Sequence, residues 1–159
     1  MAYIYPAPGV AGVQATLGIS VESNSAVSPE LNLAGLQDIT LNASNDVFTW
    51  TQLDAGSKKQ VATTATNSLS MNIVLDQTAW FGDTGETAGE ADYIGVFGLS
   101  TAKTYLDFTL YLGDTSAGAT GKTISGKGYI TGLAPTVSAD APVWVSPITI
   151  TVDGDYTVS

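Results

Sequence analysis

The chain has 159 residues, a net charge of −10 and 13% charged residues, against about 25% in an average globular protein. A chain of this length is typical of one domain with its own core. Because it contains no Cys, His or Arg, the sequence excludes disulfides, thiolate and imidazole catalysis, and the usual zinc sites. The excess of carboxylates also argues against a surface that grips nucleic acid.

Apolar and polar residues alternate with a period of two in the first half of the chain, which predicts β-strands. The predicted strands cover residues 13–21, 36–41, 47–53 and 69–75. Residues 54–57 have the composition of a turn, and a second arm begins at Lys58. This pattern predicts a hairpin.

A short helix is predicted next, for residues 76–81. Asp76 suits the N-cap position, and Trp80 and Phe81 can turn back to the core. The acidic, Gly-rich stretch 82–92 has no periodicity and is interpreted as a mobile loop, with a continuation of the helix as the alternative. Further strands are predicted for residues 93–99, 105–112, 122–133 and 144–152.

The predicted strand at residues 105–112 has two contrasting faces. Leu106 and Phe108 begin a continuous apolar face, and the opposite face carries Asp107 and Thr109 between two tyrosines. Such an aromatic and hydroxyl surface favours contact with a partner or a wet channel over simple exposure to bulk water.

The first twelve residues are rich in Pro and Gly and predict an extended arm ahead of a single domain at 13–159. Tyr3, Ile4 and Tyr5 in this arm need apolar neighbours, so the arm either docks on an adjacent subunit or frays. We see no basic leader and no apolar stretch long enough to cross a bilayer, and we therefore expect a soluble protein that is made in the cytoplasm and has no membrane partner.

Three chemical readings of the sequence are weaker than their structural alternatives. The sequence argues against a calcium site in the acidic loop, because the spacing of its carboxylates departs from that of a calcium-binding loop. The Asp-Thr-Gly tripeptide after Gly82 matches the motif of aspartic proteases, but the chain has no second copy of it. Ser125 and Lys127 do not form a convincing Ser-Lys hydrolase site, because nothing in the sequence indicates that Lys127 is buried. The carboxylates weighed for calcium are Asp83, Glu86, Glu90 and Asp92. We therefore expect no catalytic residues, no cofactor and no metal.

Two segments carry a resemblance to a known family. In residues 125–155 a Gly-flanked strand is followed by a small polar link and a final strand pair that ends near a Gly, and residues 50–64 form a long hairpin pattern. These segments resemble the tail tube proteins, or major tail proteins, of long-tailed, siphovirus-like bacteriophages.

The resemblance implies an all-β fold: a β-sandwich of two antiparallel sheets with one short flanking α-helix, in which the sheets of six subunits join into a ring-shaped β-barrel. It implies a structural, non-enzymatic subunit of the virion tail that is assembled in the host cytoplasm. Its expected partners are further copies of itself in stacked rings, the tape measure protein, the tail terminator and distal tail proteins. Double-stranded DNA passes through without specific binding.

The resemblance also gives roles to particular residues. The candidate inter-ring hairpin contains Trp50, Asp54, Lys58 and Lys59, with the lysines either facing the acidic loop of the next ring or simply solvated. Asp107 and Thr109 are candidate lumen-facing residues, and Tyr3, Ile4 and Tyr5 are the candidate inter-subunit arm. An acidic lumen would repel phosphate and keep DNA from adhering.

Two other functions fit an acidic all-β chain. A phage capsid decoration protein would form trimers or sit singly on a shell. A carbohydrate-binding or adhesin-like β-sandwich would bind sugars as a monomer, with Trp50, Trp80 and Trp144 as stacking platforms.

Overall fold

The computed structural model describes residues 15–22, 30–33, 36–54, 56–113, 121–137, 139–140 and 143–159. Within them lie eight strands and two helices, so the chain is mainly β, as predicted. The elements are β1 (Ala15–Val21), β2 (Leu31–Leu33), β3 (Leu36–Thr51), β4 (Lys58–Val74), α1 (Gln77–Phe81), α2 (Ala91–Ala102), β5 (Leu106–Leu112), β6 (Lys122–Leu133), β7 (Val145–Val152) and β8 (Thr157–Val158). The predicted arm with Tyr3, Ile4 and Tyr5 lies outside the described residues.

The described strands form one antiparallel sheet, in the order β2-β1-β5-β6-β7-β4-β3, with β8 beside β6. The long strand β6 pairs with β5 up to Gly128 and with β7 from Gly128 onward, so it belongs to both halves of the sheet. Because the halves share this strand, the two separate sheets of the predicted sandwich are not confirmed. A Cβ atom at Gly128 would lie 2.1 Å from the carbonyl oxygen of Thr151, so β6 and β7 approach too closely for any larger residue.

The core lies on one face of this sheet. In β5, Leu106, Phe108 and Leu110 are buried while the residues between them are half-buried, which matches the predicted alternation. Apolar side chains from both halves of the sheet and from both helices join in one cluster. Burial of each large aliphatic or aromatic side chain there contributes about 1.5–3 kcal/mol.

Helix α1 begins as the sequence predicted. The Asp76 carboxylate accepts hydrogen bonds from the Thr78 hydroxyl and, at 3.2 Å, from the Ala79 backbone N–H. The bond from Thr78 is the main reason why the pKa of Asp76 lies below its usual value. Trp80 is buried as expected, but Phe81 is 56% exposed, so the prediction that both aromatics return to the core is half wrong.

The predicted strand at residues 93–99 is wrong, because this segment belongs to helix α2. Its buried residues Ala91, Gly95, Val96 and Leu99 recur at the spacing of a helix face that packs on the sheet. Short apolar runs have the same composition in buried strands and buried helices, so periodicity alone does not separate them. The described part of the chain therefore contains two helices instead of the single predicted one.

Two glycines allow α1 and α2 to touch. A Cβ atom at Gly82 would lie 2.0 Å from the carbonyl oxygen of Tyr93, and one at Gly95 would lie 2.3 Å from the backbone nitrogen of Gly82. Both glycines have positive φ angles, 87° and 72°, and Gly95 interrupts the helical backbone of α2. The helix pair thus covers the core as one bent unit.

Candidate assembly surfaces

Strands β3 and β4 form a hairpin that extends well past the rest of the sheet. β4 pairs with β7 from Asn67 to Val74, whereas from Lys58 to Thr66 its described partner is β3 alone. We call residues 44–66 the free hairpin, and every side chain described in it is exposed. At about 3.3 Å per residue it projects roughly 30 Å.

One side of the free hairpin is apolar. Phe48 lies opposite Val61, and Trp50 follows on the same side, opposite Lys59. Phe48, Trp50 and Val61 are 58%, 36% and 49% exposed, and the two aromatic rings stack with centroids 5.9 Å apart. Clustered apolar side chains in water mark a surface that binds another molecule.

The structure separates the two lysines that the sequence grouped together. Lys58 lies opposite Thr51 and Lys59 lies opposite Trp50, so their side chains leave opposite faces of the ladder. Asp54 lies in the exposed turn between the strands. The predicted hairpin exists, and Lys59 is the lysine that shares the apolar side with Trp50.

The base of the free hairpin is held by the C-terminal segment. The Tyr156 hydroxyl lies 2.8 Å from the carbonyl oxygen of Asn42 and 2.9 Å from that of Ser68, one on each strand of the hairpin. The buried Asn67 donates a side-chain hydrogen bond to the Gly154 carbonyl at 2.7 Å. These contacts fix the point at which the hairpin leaves the sheet.

The face of the sheet opposite the core carries the candidate lumen residues. Asp107 lies opposite Lys127, and Thr109 lies opposite Ser125. The Lys127 ammonium lies 2.5 Å from a Glu22 carboxylate oxygen and 3.5 Å from one of Asp107. The Glu22 hydrogen bond is the main reason why the pKa of Lys127 lies above its usual value. Asp107 is therefore half of an ion pair rather than an isolated charge.

This polar face is acidic even after that pairing. Outside the free hairpin, Lys127 is the one cation on this face among the described residues of the paired strands and their ends. Its carboxylates are Glu22, Glu30, Asp38, Asp107 and Asp153.

Two tyrosines add hydroxyl groups to the polar face. The Tyr111 hydroxyl donates to Glu30 at 2.9 Å, and the Tyr105 hydroxyl donates to Asp153 at 3.1 Å. Desolvation, and then these hydrogen bonds, raise the pKa of both tyrosines above the usual value, so both remain protonated donors at neutral pH.

A half-open apolar groove of about 460 Å³ lies at the far end of β4 from the hairpin tip, between α1 and the residues just before β7. Trp144, Val143 and Phe81 in its wall are 49%, 44% and 56% exposed. The sequence does not predict this surface, because its alternation places Trp144 in the strand that in fact begins at Val145. Trp80 is buried, so it cannot serve as one of the sugar-stacking platforms of the carbohydrate-binding alternative.

The acidic loop after α1 uses its first carboxylate in a local turn. Asp83 accepts a hydrogen bond from the Gly85 N–H at 2.9 Å, and its own N–H donates to the Asp92 carbonyl. Across the described parts of the chain, no group of three or more acidic side chains is arranged to hold a metal ion. None of the helices described is long and apolar enough to span a bilayer.

No protein-family model and no curated protein matches this sequence. Solved structures are similar in fold. A chain in the tail of an empty GTA particle, refined with C6 symmetry, has a TM-score of 0.62 and 12% identity, over 90% of this chain and 95% of that one. A chain of the SPP1 tail tube has a TM-score of 0.65 and 9% identity, over 94% and 78%.

A third similar structure is the sheath/tube terminator of an extracellular contractile injection system, with a TM-score of 0.61 and 15% identity over 99% of both chains. At such identities a likeness concerns the fold alone. The resemblance drawn from residues 50–64 and 125–155 is confirmed at that level: this chain has the fold shared by phage tail tube proteins and subunits of related injection systems.

Proposed function

We propose that this chain is a structural, non-enzymatic subunit of the tail tube of a long-tailed phage, assembled in the host cytoplasm into stacked rings. The observation that carries the proposal is the free hairpin. It holds an apolar side in water on a chain that has the tail tube fold. A protein that kept Phe48 and Trp50 exposed as a monomer would gain nothing from them, whereas a neighbouring copy would bury them.

We further propose that six copies close into each ring. In the described sheet β2 and β3 are the edge strands, and pairing them between subunits into a closed barrel would remove both edges. Six-fold symmetry in the GTA tail and in a baseplate of the anti-feeding prophage supports this number.

In this assembly the polar face with Asp107 and Thr109 lines the channel, around the tape measure protein first and double-stranded DNA later. Terminator and distal tail proteins cap the two ends. An excess of carboxylates repeated by ring symmetry gives a negative potential, which reaches about 8 Å at physiological salt. Repulsion from this wall would keep the DNA backbone sliding without specific binding.

Electron microscopy of the purified protein tests the assembly. We expect tubes or six-fold rings from the wild type, and folded subunits that no longer polymerise after deletion of residues 54–59, because hairpin tips tolerate removal. Trimers would favour a capsid decoration protein, and a monomer that binds sugar would favour a carbohydrate-binding module. Tube formation by the deletion variant would show that the tip of the hairpin, residues 54–59, is not needed for assembly.

The channel assignment needs a variant that leaves the Asp107–Lys127 pair intact. Asp107→Lys would place two lysines opposite each other and weaken the sheet locally. Thr109→Lys adds a cation beside Ser125 without that conflict, and Thr109→Gln is the neutral control. Assembled tails that carry Thr109→Lys should release DNA more slowly than the control, and equal rates would place this face outside the channel.

A further inference from the structure

The hairpin and the groove lie at opposite ends of one strand. β4 begins at Lys58 beside the hairpin tip and ends at Val74, and the next residue, Leu75, forms part of the groove wall. A backbone hydrogen bond of 2.9 Å from the Leu75 N–H to the Trp144 carbonyl fixes the two walls of the groove to each other. A subunit therefore carries an apolar projection at one end and an apolar recess at the other.

Copies that repeat along the direction of β4 would bring the projection of one subunit to the recess of the next. Such head-to-tail contacts use two different surfaces, so each copy in a chain of subunits can bind one further copy at each end. They build filaments, unless the rotation between successive copies closes the chain into a ring. An aromatic pair on one surface and exposed aromatics on the other also match in chemistry, because aromatic rings favour offset or edge contacts with each other.

The charges of the two surfaces are complementary. Lys59 lies on the apolar side of the hairpin, next to Trp50. Asp76 lies in the groove wall, and its hydrogen bonds to Thr78 and Ala79 keep it ionised by lowering its pKa. In the sequence, the described loop that follows Phe81 carries three more carboxylates, those of Asp83, Glu86 and Glu90.

We propose that the groove formed by Leu75, Asp76, Trp80, Phe81, Val143 and Trp144 receives the apolar side of the free hairpin of a second copy of this chain. This assignment rests on the proposed stacking of rings and names the surface on which each hairpin docks. Phe48 and Trp50 enter beside Trp144, and Lys59 faces Asp76 and the acidic loop.

A single contact of this kind is weak. Two aromatic side chains bury roughly 300–500 Å² together, whereas a stable interface buries about 800 Å² on each partner. Ring symmetry repeats the contact around the tube, and repeated contacts act together through their high effective concentration. Assembly should therefore depend steeply on protein concentration, with few isolated dimers.

Cysteine cross-linking tests the docking, since the natural chain contains no Cys. Val61→Cys combined with Val143→Cys places one thiol on the apolar side of the hairpin and one in the groove. The matched control is Val47→Cys with Val143→Cys, because Val47 is equally exposed, at 53% against 49%, and lies on the opposite side of the hairpin. A short bis-maleimide is the probe, since a disulfide would require Cα atoms within about 7 Å.

We expect the first pair to give a ladder of covalent multimers from assembled protein on a denaturing gel, and the control pair to give at least fivefold less. Tubes that form while both pairs cross-link equally would overturn the docking and leave the proposed function standing. Failure of both variants and of the wild type to assemble would overturn both. Preferential cross-linking of Val143→Cys to Tyr5→Cys would assign the groove to the N-terminal arm and also overturn the docking.

Discussion

The two halves of β4 show how one strand can serve two purposes. From Asn67 to Val74 its side chains alternate between buried and half-buried, and Leu69, Met71 and Ile73 point into the core. From Lys58 to Thr66 every side chain described is exposed, although β3 pairs along the whole length. The backbone hydrogen bonds are therefore similar in both halves, and a third strand, β7, determines which half belongs to the core. We expect changes in the buried half to alter folding and changes in the free half to alter assembly.

The largest effect on folding should come from Leu69→Ala. Leu69 is fully buried, so the change leaves a cavity and should lower the free energy of unfolding by about 2–5 kcal/mol. Val61→Ala, in the free half, should change it by less than about 0.5 kcal/mol. Urea unfolding of the two variants measures the difference, and equal losses would contradict the division of β4.

The largest effect on assembly should come from replacing Phe48 and Trp50 together by Ser. Aromatic residues dominate the binding energy of interfaces, so we expect a loss of about 2 kcal/mol or more per contact and a rise of the critical concentration of at least 30-fold. The free energy of unfolding of the monomer should stay within about 0.5 kcal/mol of the wild type. Sedimentation across a concentration series measures the critical concentration. A matching loss in the free energy of unfolding of the monomer would show that the two aromatic side chains stabilise the fold itself.

A smaller effect is expected just past the buried half of β4, where Asp76 caps α1. Asp76→Ala should cost about 1 kcal/mol at neutral pH. The hydrogen bonds that lower the pKa of Asp76 stabilise the fold above the carboxyl's ordinary pKa, and this contribution is lost as the pH falls through the lower pKa of the folded state. The difference between wild type and variant in urea unfolding should therefore shrink on acidification, and a constant difference would mean that the charge of Asp76 plays no part.

An effect of similar size is expected at the boundary between the two halves. Tyr156→Phe removes the hydroxyl that contacts the carbonyls of Asn42 and Ser68, at a cost of about 0.5–1.5 kcal/mol. Hydrogen exchange should quicken in the free hairpin and not in β5, because the hairpin base loses its support. Tyr105→Phe, which removes a hydroxyl from the polar face, is the control and should leave exchange in the hairpin unchanged.

The sequence predicted the structure well where burial follows a simple alternation. Residues 105–112 were assigned a core face and a polar face, and the structure shows both. The capping role of Asp76 was also predictable, because an N-cap depends on contacts within a few residues. Residues 93–99 were misassigned, because their short apolar run fits a buried helix as well as a buried strand.

The candidate surfaces were predictable in part. The sequence proposes Trp50, Lys58, Lys59 and Asp107 as candidates, but it does not give their pairing partners, since register depends on residues far along the chain. The register of β3 and β4 places Lys58 and Lys59 on opposite faces of the hairpin, and the register of β5 and β6 places Lys127 opposite Asp107. The groove at Trp144 was missed because its walls come from α1 and from residues more than 60 positions later.

Composition and alternation by themselves determined that this chain is an acidic, mainly β protein without the side chains of most catalytic sites. Tertiary structure decided which apolar residues are core and which are exposed. Val61 and Leu69 are both apolar residues of the same strand, and one is half-exposed while the other is fully buried. The reason is physical: alternation shows that a strand has an apolar side, but burial of that side requires a partner surface, and β7 ends before it reaches the free hairpin.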